Sequence, residues 1–465
     1  MRRALIVWAA AAAAMAWGET TPAQFRSQAA GASAEPAVEQ WWSSFQDAEL
    51  NSLIERALRA NLDLKVAGSR LLEARAARGV ARSGLLPSVE TTDSQQRVRG
   101  GLTQGVFRPN AGTQSSLLAP FETSVLQQGF DASWEIDFFG GKRHALAAAT
   151  ANAAAMEEAR RDTLVSLLAE VARNYGELRG TQKRLDIAGQ NIRLQADSLD
   201  LARARAEAGL GTELDVERQS SQLAATQATV PALESARQLT IHRLAVLLGE
   251  EPGSLEDELS EVRALPANPP VVPVGLSSEL LKRRPDVRRA DREVTAASER
   301  VGVARSDFFP KFSLTGSAGR QGTSYSGLTL GAGNFFAAGP QIKLPIFTGG
   351  RLKANLEAER QRLDQAQLAY RSAVLRSLEE TENALTAYGR EQERREQLQT
   401  AVRASKDATQ MATELYAHGL ADFLSVLDAQ RQQLSTEDDL AQSDTAVMTN
   451  LVALYKALGG GWEGR

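Results

Sequence analysis

Asp131, Ser133, Glu135 and Asp137 alternate with Phe130, Ala132, Trp134, Ile136 and Phe138. Three acids so close together invite a general acid and base pairing. On a strand, however, every second residue shares a face, so the polar four form one wet row and the apolar five form another. Beside a water-filled passage such acids set ion preference rather than catalyse. The other reactive types are scattered. His144, His242 and His418 have no ligand-spaced partners, so no metal site is expected, and His418 reads as a solvated residue of a turn. Lys282, Arg283, Arg284, Arg288 and Arg289 read as helix-start charges pairing with neighbours such as Asp286, Asp291 and Glu293. There is no cysteine, which removes thiolate metal sites, disulfides and thiol catalysis. No nucleophile elbow, phosphate-binding glycine loop or metal-ligand spacing occurs, so no catalytic residue and no cofactor are expected.

The elements that must position the alternating strand occur twice. Asn61–Pro87 and Arg284–Pro310 share one pattern, with Asp63, Ala67, Gly79, Val80, Ala81, Arg82, Ser83 and Pro87 matched by Asp286, Ala290, Gly302, Val303, Ala304, Arg305, Ser306 and Pro310. A period of about 220 residues exceeds any solenoid unit and indicates a duplicated half. The reading is a signal peptide over 1–16, a first repeat over 17–250, a linker over 251–275 and a second repeat over 276–465. The signal rests on Arg2 and Arg3, the apolar run Ala4–Trp17 and the small residues Ala14 and Ala16. At about 14 residues that run is too short to cross a bilayer. The net charge of −4 and pI near 5.7 give no electrostatic footprint for nucleic acid.

Each repeat opens with helix and passes to a strand hairpin, about 86–139 in the first and 310–347 in the second. In the second, Lys311, Ser313, Thr315 and Ser317 alternate with Phe312, Leu314, Gly316 and Ala318. The glycine-rich segment Arg320–Asn334 reads as a loop, and Phe336, Ala338, Pro340, Ile342, Leu344 and Ile346 follow on one face. Residues 99–120 read as the loop of the first hairpin. Phe130, Trp134, Ile136 and Phe138 then face lipid, and Asp131, Ser133, Glu135 and Asp137 face a lumen. Four strands cannot close a membrane barrel, so several chains must share one: two would give eight strands, and three would give twelve and a passage.

Long helical hairpins follow, about 142–248 and 351–458. Leu164, Val171, Leu178, Leu185, Ile192 and Leu199 recur every seven residues, a coiled-coil seam. Turns are marked by Gly209, Leu210, Gly211 and Thr212 in one repeat and by Gly419 and Leu420 in the other. Pro231 should bend or interrupt the first returning helix.

WEIDFFGGKR, VPALESARQLTIHRLAVLLGEEPG, LLKRRPDVRRAD, FTGGRL, LSVLDAQRQQLSTE and NLVALYKALGGGW occur in this order. With that order and spacing the chain resembles the outer-membrane factor family, the TolC-like exit ducts, and its OprM-like drug-efflux branch, over almost the whole mature chain. The resemblance implies a mixed helix and strand membrane protein: a trimer with one twelve-stranded barrel and a periplasmic tunnel of long helices. It also implies a periplasmic adaptor docking at the Gly209 and Gly419 turns, an inner-membrane transporter of the RND type, and a tip closed at rest by rings of Leu424 and Asp428. TolC carries a further aspartate where this chain has Ser425, so the implied acidic ring is thinner here. Many OprM-like members carry a lipid-modified cysteine, and without one the barrel is expected to hold this chain alone. The expected function is a passive exit duct for small molecules in the outer membrane; a protein-secretion duct and a non-conducting envelope spacer are the alternatives.

Overall fold

The computed structural model describes residues 40–100, 121–266, 283–325 and 328–462. The expected signal segment, most of the first hairpin's loop and the end of the proline-rich linker lie outside them. Two compact units gather sequence from both repeats. One comprises Met1–Leu71, Ala155–Asp291 and Ala369–Arg465, the other Leu72–Ala154 and Arg292–Leu368.

The second unit holds one antiparallel sheet in the order β1 (Ser88–Gly100), β2 (Phe121–Ile136), β3 (Lys311–Tyr325) and β4 (Leu328–Lys343). Register aligns the alternations seen in sequence. Trp134 stands opposite Leu314, which stands opposite Pro340; Phe130 stands opposite Ala318, which stands opposite Phe336. The apolar rows of three strands therefore merge into one face, and Phe336 on it is 80 % exposed. The glycine-rich segment expected as a loop is mostly strand. Pairing runs on from Arg320 and Asn334 to Tyr325 and Leu328, with a register shift at Thr323 and Ser324. Glycine leaves no side-chain alternation to read, yet here it permits close strand contact. An ideal Cβ at Gly319 would lie 2.2 Å from the Gln128 carbonyl oxygen and 2.9 Å from the Phe335 ring, which covers both Gly319 and Gly129.

At the base of the sheet, Phe139 stacks on Phe309 at 4.6 Å and Phe138 meets Phe312 edge-on at 5.0 Å. The Trp134 indole N–H donates to the Leu85 carbonyl. His144, alone in the sequence reading, has a distant partner: its Nδ1 lies 2.6 Å from Glu299 Oε2, and its ring fills the space a side chain at Gly302 would need.

The first unit is helical. It contains a 3-10 turn at Trp41–Phe45, α1 (Ala48–Ala60), part of α2 (Leu62–Ser83), part of α3 (Gly141–Glu207), α4 (Glu213–Gln227), α5 (Val230–Leu247) and a short α6 (Glu256–Leu259). Part of α7 (Pro285–Ser306) and α8 (Arg351–Ala417) and all of α9 (Phe423–Ala457) complete it. The helices α3 and α8 have 67 residues each, roughly 100 Å at 1.5 Å per residue. Among the described residues no helix is long and apolar enough to cross a membrane. Pro231 acts as the sequence requires: α4 stops at Gln227, α5 restarts at Val230, and the proline occupies the first turn where no N–H partner is needed.

The seven-residue seam of α3 is buried only in part. Leu164, Val171, Leu178 and Leu199 are core residues, but at Leu185 and Ile192, both half-buried, the buried stripe runs through Gln182, Ile187, Asn191, Gln195 and Ser198 instead.

The arginines of the RRPDV segment bind across the fold. Arg284 donates to Asp286 at 3.0 and 2.7 Å, to Glu380 at 2.7 Å, and to the Ala457 carbonyl at the end of α9. Arg288 reaches Glu158 at 2.7 Å, and Arg289 lies 3.9 Å from Asp162. The Arg161 and Arg288 guanidiniums lie 4.7 and 4.9 Å from the centre of the Trp462 ring. This cluster secures the C-terminal segment.

Candidate functional site

The first candidate surface is the sheet. Among the acids of its polar row, Asp131 accepts a hydrogen bond from Thr92 at 2.7 Å, and Glu135 lies 3.4 Å from the Lys142 ammonium. Ser133, on the same row, stands opposite Ser88 and Thr315. Asp137, expected in line with them, sits one residue past the end of β2. There its carboxylate accepts from the backbone N–H and the guanidinium of Arg143, so it fixes the first turn of α3. A cavity of about 150 Å³ next to it is lined by Glu135, Asp137, Lys142, Ser306 and Lys311, with its charges already paired. On the opposite row Phe130, 64 % exposed, Trp134 and Ile136 share a face, and Phe138 follows beyond the strand.

The second candidate surface is the pair of helix turns. Gly209 has φ +73° and Gly419 φ +72°, where a Cβ is strained. Each sits just past a helix end with the same two bonds. Gly209 and Leu210 donate to the Ala206 and Arg205 carbonyls; Gly419 and Leu420 donate to those of Tyr416 and Leu415. Gly211 packs against the Arg205 backbone. Thr212 and Asp215 form a reciprocal capping box that starts α4. Leu210 and Leu420 are 69 % and 74 % exposed.

The helix α9 starts at Asp422, whose carboxylate accepts from the Ser425 N–H at 3.0 Å and the Ser425 hydroxyl at 2.5 Å. The hydroxyl bond from Ser425, followed by its backbone N–H, holds the Asp422 carboxyl below the usual range. Ser425 is thus used by the helix cap. Leu424, 44 % exposed, and Asp428 lie one turn apart on the outward face, while Phe423, Val426 and Leu427 turn inward onto Leu199, Ala202, Val216 and Tyr416.

Arg205 was not legible as a site residue. Its guanidinium donates to the Tyr416 and Ala417 carbonyls at 2.9 and 3.1 Å and lies 4.7 Å over the Tyr416 ring, so it closes the C-terminal end of α8. Only its place in the last turn of α3 hinted at a capping role. Among the described residues no cluster of three or more histidines and acids could hold a metal ion.

The sequence model of the outer membrane efflux protein family matches residues 53–250 and 276–460. The chain is 32 % identical over 450 residues to the pyoverdine export outer membrane protein OpmQ of Pseudomonas aeruginosa, covering 96 % of this chain and 92 % of that one. It is 31 % identical over 437 residues to the toluene efflux pump outer membrane protein TtgC of Pseudomonas putida, covering 92 % and 86 %. The solved outer-membrane channel OprN superposes with a TM-score of 0.85 at 36 % identity, over 95 % of this chain and 99 % of that one. Matched over residues 53–250 and 276–460, the chain belongs to the outer membrane efflux protein family and has the fold of a TolC-like outer membrane channel.

Proposed function

We propose that the protein is the exit duct of a tripartite efflux pump, passively conducting small molecules from an inner-membrane RND-type transporter and a periplasmic adaptor to the cell exterior. The observation that carries this reading is the sheet: an apolar row continuous across strands, and outer edges on β1 and β4 that, among the described residues, no strand of the same chain pairs. In hydrocarbon each unpaired backbone group costs several kcal/mol, so such a sheet needs further copies. Three copies supply twelve strands, enough for a barrel with a passage. Asp131, Ser133 and Glu135 line that passage, with Asp137 at its base. Leu424, Ser425 and Asp428 form the constriction, and the Gly209–Thr212 and Gly419–Leu420 turns receive the adaptor.

A small-molecule cargo is supported by relatives named for toluene efflux and for pyoverdine export. The barrel sits in the outer membrane of a Gram-negative cell with the helices in the periplasm, and the energy for transport comes from the partner. Native mass measurement of detergent-purified protein should give three copies, and deleting the gene should sensitise cells to organic solvents or toxic small molecules. A stable soluble monomer, or unchanged susceptibility when parallel pumps are also deleted, would refute the reading.

A further inference from the structure

The apolar face of the sheet changes character at one ladder. Ile136, Phe312 and Ile342 stand abreast at its base, followed by Trp134, Leu314 and Pro340, by Ala132, Gly316 and Ala338, and by Phe130, Ala318 and Phe336. The next ladder on that face is Gln128, Arg320 and Asn334, all three exposed. Side chains alternate along a strand, so these three lie on the side of Phe130 and Phe336. The intervening ladder faces the other way, where Phe335 covers Gly129 and Gly319. An arginine on the lipid side of a barrel is costly at the bilayer centre and tolerated near an interface. Eight residues of β3 lead from Phe312 to Arg320, about 27 Å of strand at about 3.4 Å per residue, or about 20 Å along the barrel axis at a tilt of about 40°. The apolar band of such a barrel is about 25 Å tall, so the guanidinium at the end of its long stem reaches the outward level of lipid head groups.

Below Arg320 the same strand carries almost no side chain. Gly316 and Ala318 form a floor, and the exposed rings of Phe130 and Phe336 stand on the strands to either side. Those strands are about 10 Å apart, two strand spacings, which leaves room for one hydrocarbon chain between the rings. Above Arg320 comes Gly322, where an ideal Cβ would meet nothing nearer than 3.9 Å. The guanidinium is thus unobstructed, and among the described residues Arg320 has no hydrogen bond or ion pair. Gln128 and Asn334 place a carboxamide on each flank, while Asp93, opposite Gln128 on β1, is one strand further off. An anion is therefore drawn between β2 and β4, away from Asp93. A guanidinium flanked by amide donors suits a phosphate, which takes two or more hydrogen bonds in a fixed geometry. Because β3 is an inner strand, pairing with further copies at the sheet edges leaves this trough uncovered.

We propose that the trough is a lipid site. Arg320, with Gln128 and Asn334, binds the phosphate of an outer-leaflet lipid, and an acyl chain of that lipid lies over Gly316 and Ala318 between Phe130 and Phe336. The site rests on the reading of the sheet as part of a barrel with the helices in the periplasm, which puts Arg320 at the outward end.

Titration of detergent-purified protein with diphosphoryl lipid A, followed by native mass measurement, tests it. Arg320→Gln should weaken binding about tenfold or more and Arg320→Lys about threefold, since lysine keeps the charge but not the paired donors. Lipid A stripped of its phosphates should bind wild type about tenfold more weakly than the diphosphoryl form and should not distinguish wild type from Arg320→Gln. Ala318→Phe fills the floor and leaves Arg320 in place, and should also cut binding by about tenfold. Inorganic phosphate in large excess should leave the lipid bound; complete displacement would mean a site for the free ion and overturns the proposal. Equal binding of the diphosphoryl lipid by wild type and Arg320→Gln, or by wild type and a folded Ala318→Phe, also overturns it. Heat-modifiable migration reports whether each barrel is folded. A wild type with no folded barrel overturns the barrel reading and the lipid site together; a folded barrel whose lipid binding ignores Arg320 overturns the lipid site alone.

Discussion

Replacing Arg284 by methionine tests what the charged segment before α7 does. The Arg284 side chain is 9 % exposed, against 24 % for Asp286 and 57 % for Glu380. The Glu380 contact, more than half exposed, contributes little after screening. Removing one partner of the mostly buried Asp286 pair costs about 3 kcal/mol, and leaving the Ala457 carbonyl without its donor adds about 1 kcal/mol. Methionine keeps the apolar stem against Gly459, whose ideal Cβ would lie 3.1 Å from Arg284 Cα and Cγ. The loss of about 4 kcal/mol is local to the end of α9. Hydrogen exchange of the Leu458, Gly459 and Gly460 amides, bonded to the Leu454, Lys456 and Tyr455 carbonyls, should therefore accelerate by roughly 500- to 1,000-fold. Burial opposes ionisation of Asp286, but the Arg284 guanidinium overrides it and holds the carboxyl below its usual range. A lowered folded value makes the contribution full above the ordinary carboxylate pKa and lost only as the pH falls through the lowered one. The difference between wild type and Arg284→Met should accordingly be flat from about pH 5 to pH 8. An acceleration below about threefold, or a difference that vanishes near neutrality, would refute the reasoning.

Gly319→Val should abolish folded barrel in the outer membrane, because its Cβ meets the backbone at Gln128 and Gly129, whereas Gly333→Val, with nothing within 4 Å, should be tolerated; heat-modifiable migration of outer-membrane fractions separates the two. Asp428→Ala removes an exposed charge that three copies would bring together, and should raise bilayer conductance; unchanged conductance counts against its place in the constriction. Gly419→Val should weaken adaptor co-purification and efflux, and Gly419→Asn should do so less, because the space around it is open apart from Arg205 Nη2 at 3.7 Å and only the positive φ excludes valine. Burial, reinforced by the neighbouring negative charge of Asp286, pushes the Asp162 carboxyl up. Ionised Asp162 then costs stability as the pH rises through its raised value, so Asp162→Asn should raise the melting temperature by about 1–2 °C at neutral pH, with the gain gone by about pH 4.

What was legible in this sequence was whatever has a side-chain period. Phe130 to Phe138 announces a strand with one apolar face, and Ala208 to Thr212 announces a helix end and a helix start, because glycine at positive φ and a threonine cap have few other uses. The strand ends around Gly322 and Gly331 were illegible for the opposite reason: pairing there is carried by backbone groups, and glycine gives no alternation. The partners of Arg284 and Arg288 at Glu380 and Glu158, 96 and 130 residues away, could not be read from local spacing, although Asp286 could. The buried amides between α3, α4 and α9, where Gln219 donates to the Gln195 carbonyl and to the Gln430 side chain, were hidden more deeply. Gln195, Gln219 and Gln430 have the composition of a solvated helix face, and the heptad leucines beside them supplied an apolar stripe that pointed elsewhere. Helical period cannot separate a buried amide from an exposed one, since both leave the apolar pattern broken at the same position. Only the contact partner decides, and here the partner is another amide on another helix.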